Sequence, residues 1–135
     1  MKIAISACLM GVNCKYDGSN NRREPLVRFL QDHELLLICP ETVGEMPTPR
    51  IPSEIREGRV ISRQGDDVTP FFDTGVARTV EEIEAFQPDL ILLKANSPSC
   101  GKDGIYDGTF SGKIIHEDGW LARALQDKYP IITIG

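Results

Sequence analysis

Two short stretches decide the fold: Glu34-Leu-Leu-Leu-Ile-Cys39 and Asp89-Leu-Ile-Leu-Leu-Lys94. Each is a continuous apolar run, too short for a free-standing helix and followed closely by proline, glycine or serine. That is the pattern of a parallel strand buried on both faces. Lys2 to Ser6 reads as a third strand, with Ile3 and Ile5 alternating before Gly11 breaks the pattern, and Ile131 to Ile134 as a last short one.

Helical patterns separate these runs. Leu26, Phe29 and Leu30 give Glu24 to Asp32 an apolar face, starting near Pro25. Thr69-Pro70 reads as an N-cap with proline at the first helical position, and Phe71, Phe72, Val76, Val80, Ile83 and Phe86 carry that helix to about Gln87; Gly75 inside it costs about 1 kcal/mol relative to alanine and leaves a break open. Trp120, Leu121, Ala124 and Leu125 mark a helix between Gly119 and Tyr129. Pro40, Pro47, Pro49 and Pro52 predict an ordered loop in which neither helix nor central strand persists, and Arg59 to Ser62 with the Gly65-Asp66-Asp67 turn predicts a small hairpin or edge strand. Parallel strands need crossover connections, so the alternation predicts one α/β domain over residues 1–135: a mainly parallel sheet with helices on both faces, a Rossmann-like three-layer arrangement.

The 135 residues suffice for one such domain. No apolar run approaches the ~20 residues of a membrane span and the N-terminus lacks a signal-peptide core, so no membrane partner and a soluble, cytoplasmic protein are expected. A net charge of −5 argues against stable nucleic-acid binding, which needs clustered cations; Arg22, Arg23 and Arg28 read as a solvated helix face.

Four cysteines in a reducing compartment are poor disulfide candidates. Cys8 follows the first strand, Cys39 ends the second, and Cys100 lies on the loop leaving the third. Loops at the carboxyl ends of parallel strands converge, so a shared thiolate site is expected there. The competing reading is plain burial, since free cysteine packs as a small hydrophobe. Close CxxC pairs, usual in structural zinc sites, are absent; the scattered spacing favours an iron–sulfur cluster, with zinc as the other option. Cys14 is a fourth ligand, a peripheral thiol or a persulfide carrier.

Three blocks of this sequence, SACLMGVNCKYDG (Ser6 to Gly18), CPETVGEMPTPRIPSE (Cys39 to Glu54) and LKANSPSCG (Leu93 to Gly101), with GTFSG (Gly108 to Gly112) after them, resemble the signature blocks of the domain of unknown function 523 family, which includes the 2-thiouracil desulfurases. The resemblance implies a [4Fe-4S] cluster held by Cys8, Cys39 and Cys100, with one iron open to capture sulfur. The implied activity is removal of sulfur from a thiolated nucleobase or another small thiocarbonyl compound. In that scheme Glu41 and Ser97 are the carboxylate and hydroxyl that activate water, with Glu45 and Ser99 as competitors. Ser99, Arg50, Asp17 and Lys94 are candidate substrate-binding residues, although Arg50 and Lys94 also suit structural ion pairs. His33 and His116 take no role. A non-catalytic carrier of iron–sulfur or persulfide sulfur is the alternative function.

Overall fold

Ile3, Ala4 and Ile5 are almost completely buried, because the first strand is an inner strand of the sheet. The structure is a computed structural model describing residues 1–135. In chain order the elements are β1 (Lys2–Ser6), a 3₁₀ turn (Ala7–Met10), α1 (Glu24–Phe29), β2 (Glu34–Ile38), α2 (Pro40–Val43), β3 (Ser53–Arg56), β4 (Arg59–Ser62), α3 (Thr69–Phe86), β5 (Leu90–Lys94), β6 (Ile105–Tyr106), β7 (Ile114–Ile115), α4 (Trp120–Leu125) and β8 (Ile131–Ile134). The main sheet has the order β2-β1-β5-β8, and every pairing in it is parallel.

Alternation along the strands divides the core into two layers. Ile3, Ile5 and Leu92 meet Leu9 and Leu30 on the face covered by α1, with Leu26 packed alongside. Ala4, Ile91 and Leu93 meet Val76 and Ile83 of α3 and Leu121 and Leu125 of α4 on the other face. Each such valine, leucine or isoleucine contributes roughly 1.5–3 kcal/mol through removal from water. No helix is long and apolar enough to cross a membrane.

Two expectations are corrected. β2 is not buried on both faces: it is an edge strand, and Leu37 remains 42% exposed. An apolar run cannot distinguish an inner strand from an edge. The proline-rich segment does hold a helix, the single-turn α2, because Pro40 enters at its first positions, where a missing N–H costs nothing. The expected hairpin is present, with Arg59–Ser62 as its second strand: it turns at Glu57-Gly58, both at positive φ, and the Gly65 turn then folds the chain back so that Asp67 bridges to Ile61.

Gly75 does not break α3, which runs unbroken through it. A Cβ there would stand 1.8 Å from the Pro40 carbonyl oxygen, so the glycine lets α2 lie directly against α3. That contact sets the position of Cys39 and Glu41 at the head of α2.

Candidate metal and catalytic site

All four cysteines line one cavity of about 460 Å³ at the carboxyl ends of β1, β2 and β5. Cys8 lies in the 3₁₀ turn after β1, Cys39 is the N-cap of α2 directly after β2, and Cys100 follows β5 in a turn closed by the Gly101 N–H donating to the Ser97 carbonyl. Cys14 comes in from the loop between the 3₁₀ turn and α1. All are free thiols; Cys14 and Cys100 are buried and Cys8 and Cys39 partly so.

The thiols differ in character. Cys14 sits against both Cys8 and Cys39, and its S–H bonds hold their thiols down, Cys8 at about 7 and Cys39 at about 6, against the opposing effect of burial. Cys14 itself is shifted upward by hydrogen bonding to the Cys39 and Cys8 sulfurs and by burial. Asn21 Nδ2 donates to Cys8 Sγ at 3.4 Å, and Thr42 Oγ1 lies 3.1 Å from Cys39 Sγ. Burial pushes Cys100 up to about 12. A nearby cation reverses that penalty, because a coordinating thiol is deprotonated outright.

Beside the thiols lies a hydrogen-bonded chain. Ser99 Oγ, only 2% exposed, donates to Glu41 Oε2 at 3.0 Å, and Ser97 Oγ lies 3.0 Å from Ser99 Oγ. A carboxylate accepts and cannot donate, so the protons run from Ser97 to Ser99 to Glu41. Ser97 Oγ also accepts the backbone N–H groups of Ser99 (3.2 Å) and Cys100 (3.1 Å). The expected pairing of Glu41 with Ser97 is therefore revised: Ser97 fixes the turn, and Ser99 presents the hydroxyl to the carboxylate.

Arg50 lines the cavity. Its side chain is 5% exposed, and four of its five N–H donors go to Glu41 Oε1 (3.2 Å), Thr48 Oγ1 (3.0 Å), the Pro47 carbonyl (3.3 Å) and the Cys14 carbonyl (2.8 Å). It ties the base of Glu41 to the Cys14 loop. Asp17 does not reach the cavity: it is exposed and its carboxylate accepts the Ser19 N–H at 3.0 Å. Lys94 does line the cavity; its Nζ donates to the Ala95 carbonyl at 3.2 Å, and burial lowers its pKa. Glu45, His33 and His116 lie outside, with His33 Nδ1 3.1 Å from the N-terminal amine. Arg22 pairs with Glu24, and Arg23 with the Gly135 carbonyl at 2.7 Å.

Residues that the sequence reading did not single out complete the cavity: Tyr16, Asn21, Glu54, Arg63, Tyr106 and Phe110. The GTFSG stretch was the available signal for Phe110. Glu54 closes the block Cys39 to Glu54, but its partners are more than fifty residues away, so its role is not readable locally.

As a donor set the cavity suits an iron–sulfur cluster better than a single ion. Four thiols share it, and thiolates are the ligands that hold such clusters. A cluster of four irons and four sulfides is wider than one ion and needs thiolates set further apart.

A parallel α/β fold with thiols and a Ser–Glu pair in one cavity defines a class of thiol-site α/β proteins, and comparison with known proteins narrows it. The 2-thiouracil desulfurase family model matches residues 3–134, so the chain belongs to that family. It is 36% identical to the uncharacterized protein YbbK of Bacillus subtilis (strain 168), over 97% of this chain and 94% of that one. The solved structure of TudS, described as a [4Fe-4S]-dependent thiouracil desulfidase, superposes with a TM-score of 0.89 at 34% identity, covering 98% of this chain and 89% of its own.

Proposed function

We propose that the chain is a [4Fe-4S]-dependent desulfurase acting on a thiolated nucleobase such as 2-thiouracil, or on another small thiocarbonyl compound. Cys8, Cys39 and Cys100 would hold the cluster at the C-terminal edge of a Rossmann-like three-layer scaffold. Bound there, it would supply a Lewis-acidic iron that attracts the substrate sulfur. The observation that carries this reading is the convergence of the thiols and the Ser99–Glu41 hydrogen bond in one cavity.

The protein's own residues then handle water. Glu41 Oε2 accepts the Ser99 proton, which leaves the Ser99 oxygen able to take a proton from a water attacking the thiocarbonyl carbon. Arg50 keeps the carboxylate oriented, and Ser97 keeps Ser99 in place. The water oxygen replaces sulfur at the carbon; one of its protons passes through Ser99 and Glu41 to the departing sulfur, the other is released to solvent as the carbonyl forms, and sulfur leaves as hydrosulfide with no net electron transfer. Lys94 Nζ retains donors for a substrate carbonyl. The activity needs no protein, nucleic-acid or membrane partner, and a cytoplasmic setting suits its free thiols.

Anaerobically reconstituted protein incubated with 2-thiouracil is expected to yield uracil and sulfide in equal amounts over many turnovers. Absence of turnover across 2-thiouracil, 4-thiouracil and simple thioamides would overturn the enzymatic reading in favour of a sulfur carrier.

A further inference from the structure

The loop between β6 and β7 also lines the cavity, through Phe110 and Gly112, and its geometry is costly and specific. Phe110 is held at φ 56°, a left-handed conformation that bulky residues rarely adopt, between Gly108 (φ 93°) and Gly112 (φ 83°). Glu54 imposes that shape: one oxygen of this buried β3 carboxylate, Oε1, accepts the backbone N–H of Gly108 at 3.0 Å and of Phe110 at 3.1 Å. Gly108 sits so close to β3 that a Cβ would come within 2.7 Å of Arg56 Cβ. The Arg63 guanidinium lies 5.3 Å from the Phe110 ring centroid, and Phe110, Arg63 and Glu54 all line the cavity.

Strained backbone of this kind persists where the surroundings enforce it, and it clusters at ligand-clamping sites. We propose that Phe110, presented by Glu54 and steadied by Arg63, is the specificity wall of the site: an aromatic surface on which a planar heteroaromatic ring stacks, so that nucleobases are selected over small open-chain thiocarbonyl compounds. Glu54 is a positioning residue, acting only through the loop. The proposal rests on the desulfurase reading for the identity of the ring, and on the loop geometry for the wall.

Binding of uracil to the anaerobically reconstituted full chain, measured by calorimetry, tests the wall without requiring turnover. Replacing Phe110 by Ala or by Leu is expected to weaken uracil binding by roughly five- to a hundredfold, the range for loss of one aromatic stacking partner. Glu54→Ala should do the same and raise KM for 2-thiouracil with kcat little changed. Glu54→Gln, whose amide oxygen accepts the same two bonds, should restore both. KM for thiourea should not respond to any of these. Wild-type protein that binds uracil no more tightly than the Phe110→Ala and Phe110→Leu variants overturns the wall, even if 2-thiouracil is desulfurised. Wild-type protein that binds uracil through Phe110 but never turns over a thio-compound retains the wall and overturns the desulfurase.

Discussion

Ser97 and Ser99 stand two residues apart in one turn, and only the rotation of that turn decides which hydroxyl meets Glu41. Ser99→Ala is expected to lower kcat by roughly a hundredfold or more, the usual size of a general acid–base contribution, with iron content and stability unchanged. Ser97→Ala should instead lower folding stability by about 1 kcal/mol, because two turn N–H groups lose their acceptor. Steady-state kinetics and urea unfolding on both variants check this; a larger kcat loss in Ser97→Ala than in Ser99→Ala, with the cluster intact, contradicts the assignment. Asp67 provides a test at the head of α3. Its carboxyl is held at about 2 by the Thr69 hydroxyl, the Arg59 guanidinium and the Thr69 N–H. A depressed pKa stabilises the fold above the unfolded value of about 4 and loses that effect as pH falls toward about 2. Asp67→Asn should therefore have a lower Tm than wild type at pH 7, and the gap should close between pH 4 and pH 2. A gap constant across that range would contradict the charge-based explanation.

Individual elements were legible where their own residues determine them. The strands at Lys2–Ser6, Leu90–Lys94 and Ile131–Ile134, and the helix over Thr69–Phe86, follow from apolar period and proline punctuation alone. Features set by distant partners were not legible. An edge position for β2 depends on what lies beside it, and the use of Arg50 depends on the Cys14 loop folding over it. Gly75 reads locally as a weakness of α3, and only the approach of Pro40 makes it a requirement. Gly75→Ala accordingly should not bring the roughly 1 kcal/mol gain that helix propensity offers; overpacking against α2 should destabilise the protein by about 1–3 kcal/mol and lower kcat by shifting Glu41. Urea unfolding decides the sign, and a stabilised, fully active variant would show that the α2–α3 contact does not position the site.

At the scale of the whole molecule, three crossovers bring thiols distant in sequence to one edge of a parallel sheet, and the cavity they share carries the functional reading. Position after strands made Cys8, Cys39 and Cys100 legible as a group. Cys14 was harder to place, because its loop has no periodic structure; the fold sets it against Cys8 and Cys39, whose proximity shifts its pKa upward. Cys14 comes from a loop rather than from the end of a strand, which separates it from the other three. The most direct measurement is iron and acid-labile sulfide in the wild type and the four single Cys→Ser variants after anaerobic reconstitution. About four irons and four sulfides per chain are predicted for the wild type and for Cys14→Ser, with stable binding lost in Cys8→Ser, Cys39→Ser and Cys100→Ser. Stoichiometric zinc without sulfide in the wild type, or a cluster lost in Cys14→Ser, would contradict the three-thiolate site with an open iron.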